Sequence, residues 1–272
     1  MTTTAVDFET IKKAQRAAWE TGDYARVGNT LQIIAELLVE AADVRAGQRA
    51  LDVASGQGNA ALAAARRFAH ATGVDYATNL LEQGRERAVA EHLDVEFLEG
   101  DAEDLPVPGK SFDLTMSTLG SMFAPHHERA ADELVRVTAT GGKIALASWT
   151  PSSLVGQMFK VIAKWAPPPV GMRSPMLWGT REHLGHLFGD RVAWISLTER
   201  HYVMRYHSPE HFSEWFRRFY GPITRLAGNL SLEDRERFAA DLAEVVRPFN
   251  EATDGTLVAP SEYLEAVGVV RV

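Results

Sequence analysis

The sequence predicts an α/β fold built on a doubly wound, mainly parallel sheet. Short apolar runs alternate with segments of helical periodicity from Arg49 to Trp149, and the first run stops at a glycine turn, Ser55-Gly56-Gln57-Gly58. Two later β-rich stretches, 191–206 and 263–272, are separated by helical ones. Alternation of this kind calls for parallel strands joined by right-handed crossovers, with helices on both faces. The two late strands fit an antiparallel pair added at one edge.

Each element follows from local pattern. From Thr30 to Asp43, Leu31, Ile34, Ala35 and Leu38 recur at the spacing of one helix face, and Gly47 ends the segment. Arg49 to Ala54 is a short apolar strand, and the Ala-rich stretch from Asn59 to Ala71 has strong helix propensity. The strand Ala71 to Asp75, the helix Thr78 to Glu91, and strands at Val95 to Gly100 and Phe112 to Ser117 follow. A helix over 127–138 places Ala130, Leu134 and Val137 on one face, and the strand Lys143 to Trp149 comes after Gly141-Gly142. Beyond it, helices are expected at 152–165, 181–188, about 209–219 and about 232–250. The β-rich stretch runs from Arg191 to Tyr206, and Tyr263 to Val272 is the last strand.

Composition narrows the function classes. Lys and Arg number 28 against 36 Asp and Glu, a net charge of −8, so the chain lacks the basic footprint behind non-specific nucleic-acid affinity. No nucleic-acid partner is expected. The absence of cysteine rules out disulfides, Cys-ligated zinc, iron–sulfur clusters and thiolate nucleophiles, and no metal is expected. The stretch MTTTAVDFETIKK has no apolar signal region, and no run approaches the roughly 18 apolar residues of a membrane span. Cytoplasmic residence is the expectation.

The glycine turn sits where a nucleotide cofactor binds a doubly wound sheet, at the carboxyl end of the first strand. Gly56-x-Gly58-x-x-Ala61, with Asp75 about 20 residues on, also fits the loose dinucleotide fingerprint. Asp52 separates the two readings. An acid ahead of the first glycine would repel a pyrophosphate, whereas a cofactor with an ammonium and a sulfonium would make it useful. S-adenosylmethionine is such a cofactor.

Four motifs in order carry a resemblance. Asp52-Val-Ala-Ser-Gly56-Gln-Gly58 resembles motif I of the class I S-adenosylmethionine-dependent methyltransferases, and Gly73-Val-Asp75-Tyr76 resembles the acidic end of their second strand. Gly100-Asp101-Ala102-Glu103-Asp104-Leu105-Pro106, followed by Ser111-Phe112-Asp113-Leu114, is similar to the adenine-holding stretch of the ubiquinone/menaquinone-biosynthesis-like (type 11) group. Glu133-Leu-Val-Arg136, running on to Gly141-Gly142-Lys143, resembles that group's signature before the fifth strand. The departures are Ala54, where motif I usually has glycine, and Thr140, where the group usually has proline.

The resemblance implies a seven-stranded, Rossmann-like methyltransferase fold with helical cap insertions, forming one domain over 1–272. Its segments would be N-terminal helices (1–46), a cofactor-binding core (47–150), an acceptor cap with a late antiparallel strand (151–258) and a final strand (259–272). It further implies that Asp75, next to Tyr76, accepts from both ribose hydroxyls, and that Asp101 and the Ala102 amide meet adenine. Asp52, Ala54, Gly56 and Gly58 would line the turn, Ser117 would lie beneath the methionine moiety, and Tyr24 and Arg26 would close over it. S-adenosylhomocysteine would be the product.

Transfer from a sulfonium is an in-line displacement with an activated leaving group, so alignment and exclusion of water come first. An acceptor hydroxyl or amine would also lose a proton, and His126 and His127, after the loop leaving the fourth strand, are the candidate bases. The same pair also reads as a solvated helix start. Met122, Phe123, Trp149 and Trp178 are candidates to line the pocket of a small, apolar or aromatic methyl acceptor. A homodimer is left open, since the aromatic cap can bury itself against the core or a second copy. The competing classes are an NAD(P)-dependent oxidoreductase using the same turn and a non-catalytic protein that binds an adenosyl ligand.

Overall fold

The computed structural model describes residues 6–271, so residues 1–5 and Val272, which the expected segments 1–46 and 259–272 include, lie outside the described residues. Helices α1 (Phe8–Trp19), α2 (Tyr24–Gly28) and α3 (Gln32–Ala41) precede the sheet. The core runs β1 (Arg49–Val53), α4 (Asn59–Ala65), β2 (His70–Asp75), α5 (Thr78–Ala90), β3 (Val95–Glu99), β4 (Phe112–Thr118), α6 (His127–Val137) and β5 (Thr138–Trp149). The cap and sheet edge add α7 (Leu154–Trp165), α8 (Arg181–Phe188), β6 (Val192–Tyr206), α9 (Pro209–Phe219), α10 (Gly221–Gly228), α11 (Leu232–Val246) and β7 (Leu257–Val270).

The strands form one sheet in the order β3-β2-β1-β4-β5-β7-β6. β1 to β5 are parallel, and their apolar runs are covered on both faces: Ala50, Leu51 and Val53 of β1 are fully buried. The chain proceeds outward from β1 through β2 to β3 and then returns to β4 on β1's other side. That reversal opens a crevice at the carboxyl ends of β1 and β4, the place where such sheets bind ligands.

The late strands correct one expectation. β6 and β7 pair antiparallel, but β7 is also antiparallel to β5, so β6 shares the sense of β1 to β5 and β7 alone is reversed. The antiparallel strand is therefore the final one, which begins at Leu257, and not the one inside 151–258.

Two boundaries also move, and one helix is added. α4 ends at Ala65 because Phe68 takes a left-handed φ of 61° and His70 already pairs with Arg49. β5 starts at Thr138, which pairs with Phe112 before a register irregularity. α10 was hidden because Tyr220-Gly221-Pro222 reads as a break, although proline in a first turn starts a helix without losing a bond.

Phe97 of β3 locks the turn-bearing unit together. A Cβ on Gly58, Gly73 or Gly84 would come within 2.7, 2.9 or 2.8 Å of its ring, so the ring sits in a socket that three hydrogen-sized side chains leave open. Leu62, Leu81 and Ala88 complete the cluster. Gly84 lies inside α5, where alanine would ordinarily stabilise by about 1 kcal/mol. Because the added methyl meets Phe97, Gly84→Ala is instead predicted to destabilise by about 1–3 kcal/mol in urea unfolding; a stabilised variant would contradict the socket.

Candidate functional site

The crevice opens into a cavity at the carboxyl ends of β1, β2 and β4. Its floor is the turn after β1 and the loop after β4. Ala54 holds a left-handed φ of 53°, and Leu119 opposite it a φ of 58°. Gly120 fits between them: a Cβ there would lie 2.3 Å from the Ala54 carbonyl oxygen and 2.8 Å from its methyl. The alanine at the usual glycine position is thus tolerated at a conformational cost of about 1–2 kcal/mol, with glycine facing it instead.

Three acids reach the cavity from strand ends. Asp52 on β1 is buried and accepts from the Ala61 amide at 3.0 Å. Burial pushes its carboxyl up to about 7, against the pull of the Ala61 amide and with nearby Asp75 adding to the rise. Asp75 on β2 accepts from the Gly56 amide at 2.8 Å through one oxygen and from the Ala77 amide at 2.8 Å through the other. Its carboxyl is raised by burial, with those amides opposing. Each oxygen keeps a further lone pair for a ligand hydroxyl. Asp101 accepts from Lys12 at 2.8 Å and from the Glu103 amide at 2.9 Å, which ties α1 to the third strand end.

Buried polar atoms without partners mark the walls. Ser55 Oγ, Gln57 Oε1 and Thr118 Oγ1 have none among the described residues, and all three residues line the cavity. The Gln57 amide is oriented by donating Nε2 to Asn29 Oδ1 at 3.1 Å and the Ala25 carbonyl at 3.3 Å, so its oxygen is the free end. Orphans of this kind are costly unless a ligand completes them. The surplus of acids and acceptors suits a cationic ligand rich in hydroxyl and amine donors.

The structure brings most of the expected cofactor residues onto this wall: Tyr24, Asp52, Ala54, Gly56, Asp75, Tyr76, Asp101 and Ala102. Tyr24 is packed edge-on against Trp19, and burial, with Asp75, pushes its phenol up to about 12. Trp19, Gln57, Leu80 and the segment 118–120 also line it and were not singled out from sequence; only tertiary packing brings α1 and α5 over the turn.

Other expectations are corrected. Gly58 is off the wall; its left-handed φ of 80° serves the start of α4 and the Phe97 socket. Ser117 is buried beneath it, donating to the Val53 carbonyl at 2.7 Å and accepting from the Ser121 amide at 2.8 Å, so its hydroxyl pins β4 to β1. Arg26 points to solvent, paired with Asp23 at 3.1 Å and stacked 5.0 Å over Phe219. Trp178 is core, edge-on to His127 and Phe188.

Neither histidine of the expected base pair lines this cavity. His126 caps α6, its ring accepting from the Arg129 amide at 3.3 Å. His127 is buried with Nδ1 2.9 Å from His183 Nε2, and burial, with the charges around it, brings its imidazole down to about 4. Both rings make structural contacts away from this cavity.

Beside the cavity lies a narrow chamber that shares Trp19, Tyr24, Leu119 and Phe123 with it. Trp149, Tyr202, Met204, Tyr206, Phe216 and Tyr220 supply half of its remaining wall residues, so β6 and α9 help close the space over the sheet edge. A third, open and larger groove meets both across Trp19 and Phe123 and carries Met122 and His127 on its side. Of the expected acceptor residues, Phe123 and Trp149 line the chamber, Met122 the groove and Trp178 neither.

Residues 51–146 match the family model described as a methyltransferase domain. An uncharacterized protein of Mycobacterium tuberculosis is 39% identical over 214 residues, covering 76% of this chain and 77% of that one. A demethylmenaquinone methyltransferase of Paenarthrobacter aurescens is 31% identical over 179 residues, covering 60% and 69%. In fold, the chain is similar to the YcgJ protein of Bacillus subtilis, with a TM-score of 0.61 at 21% identity over 88% of this chain and 98% of that one.

The raised Asp52 carboxyl makes a prediction about the empty protein. Between an ordinary carboxylate pKa near 4 and about 7, the folded state keeps a proton that the unfolded state has released, so stability falls as pH rises through this window. Asp52→Asn, which cannot ionise, should exceed the wild type on the order of 2–4 kcal/mol in urea unfolding at pH 8 and converge with it near pH 4. A variant less stable at pH 8 than the wild type would contradict a buried, upshifted Asp52.

Proposed function

The chain belongs to the class I S-adenosylmethionine-dependent methyltransferases, in their type 11 group, and from that premise we propose that it methylates a small, ring-bearing or otherwise apolar acceptor held in the aromatic chamber. The observation that carries this reading is the wall that the chamber shares with the cofactor cavity through Trp19, Tyr24, Leu119 and Phe123. An acceptor there would be adjacent to the cofactor and screened from water by aromatic planes.

The cofactor supplies an activated methyl group on a cationic sulfur. The chain's task is to hold, align and dry the site. Asp75 would accept from ribose hydroxyls through the lone pairs that Gly56 and Ala77 leave free. Asp101, steadied by Lys12, and the neighbouring Ala102 amide would meet adenine. Asp52, with the free oxygen of Gln57 on the same wall, would face the positive amino-acid end. The buried acids beside the turn argue against a pyrophosphate there.

Base catalysis at His126 or His127 is not part of this reading, because neither residue reaches the cavity or the chamber. Alignment and desolvation remain, and they can supply several kcal/mol of barrier reduction.

A thermal-shift titration tests the assignment. S-adenosylhomocysteine should raise apparent stability by about 2.7 kcal/mol at one hundred times its Kd, and NAD(H) and NADP(H) should not. Asp75→Ala should remove the adenosyl response. Stabilisation by a nicotinamide nucleotide alone would overturn the assignment, and labelled-methyl transfer to a panel of aromatic metabolites would then identify the acceptor if it stands.

A further inference from the structure

The chamber has an unusual set of polar groups for a site of group transfer. Among the described residues that line it there is no carboxylate, imidazole or amine; its titratable side chains are the phenols of Tyr24, Tyr202, Tyr206 and Tyr220. The Tyr202 hydroxyl is committed to the Thr30 carbonyl at 2.8 Å. Tyr24 stands on the wall shared with the cofactor cavity, where Asp75 is the charge it feels. The remaining two, Tyr206 and Tyr220, sit around Phe216, with ring centroids 6.3 and 5.6 Å from it.

A buried phenol can donate as well as accept, but burial holds both of these firmly protonated, Tyr220 well above its ordinary range and Tyr206 raised with it. They cannot act as bases near neutral pH. On the chamber wall they remain neutral phenols that can donate.

We propose that Tyr206 and Tyr220 form an oxyanion-binding subsite, and that the methyl acceptor is a ring compound whose acidic hydroxyl enters the chamber already ionised. This rests on the reading of the chamber as the acceptor site. The step then balances without a base: an electron pair on the acceptor oxygen forms the new carbon–oxygen bond, the carbon–sulfur bond of S-adenosylmethionine breaks, and its electrons neutralise the sulfonium. No proton remains to be removed. Transfer to a ring carbon would leave a proton on that carbon, and nothing lining the chamber is suited to take it. Charge-assisted hydrogen bonds from neutral donors in a low-dielectric site are the stronger kind, so the phenols both select the anion and fix its position.

The sign of one measurement separates this from a merely apolar pocket. An aromatic chamber without donors favours the neutral form of a phenol and raises its pKa, whereas donating phenols favour the anion and lower it. The probe is 4-nitrophenol, whose two forms differ in visible absorbance, bound to the full chain with S-adenosylhomocysteine present and absent. The ionised form should bind about tenfold tighter than the neutral form, so that the bound pKa falls by about one unit. Tyr206→Phe and Tyr220→Phe should each bring it back toward the value in water, and should weaken binding of the ionised probe more than binding of uncharged 4-nitroanisole.

A bound pKa above that in water, or one indifferent to both substitutions, would overturn the subsite. Calorimetric binding of S-adenosylhomocysteine to the same variants shows that the fold and cofactor cavity are intact. Loss of that binding in the wild type would instead count against the methyltransferase site itself, so the two failures are distinct.

Discussion

The burial of two carboxylates, Asp52 and Asp75, at the ends of adjacent strands is the constraint on which the rest of the site depends. Taking such groups out of water is expensive, and each raised carboxyl records that cost. Backbone amides offset part of it: Ala61 for Asp52, Gly56 and Ala77 for Asp75. To present the Gly56 amide, the turn passes through left-handed conformations at Ala54, Gly56 and Gly58, and Phe97 in its glycine socket holds that turn against β2 and α5. A cationic ligand completes the balance that the protein alone leaves open.

The cap answers a different requirement. A methyl group transferred in line needs an acceptor fixed close by in a dry space. β6, α7 and α9 supply one from aromatic and aliphatic surface, and Trp19, at the end of an N-terminal helix with no fully buried residue, joins the chamber, the cavity and the groove. Because α1 is held through Lys12 to Asp101 and Arg16 to Glu99, the element that walls the chamber also fastens onto the strand end that would meet adenine.

Much of this was legible in the residues. The parallel core, the turn and the strand-end acids were readable because each is set by contiguous sequence: an apolar run, a glycine break, then an acid one strand later. What escaped depends on which side of a strand a group faces or on chain segments far apart. Ser117 stands at a strand end like the acids, but its hydroxyl turns under the sheet to Val53. Trp178 and His127 have the composition of a pocket and the packing of a core. Trp19 and Tyr220, separated by two hundred residues, meet at a ring distance of 5.3 Å, and no local pattern announces that pair.

The most direct test of the account is a count of protons. If Asp52 rests half protonated near pH 7 and faces the cationic end of the cofactor, binding must drive its proton off. Calorimetric titration of S-adenosylmethionine at pH 7, in buffers of different ionisation enthalpy, should show release of about half a proton per ligand bound, and none in Asp52→Asn. Binding without proton release, or release that persists in the variant, would contradict the claim that a buried acid is held in waiting for a positive ligand.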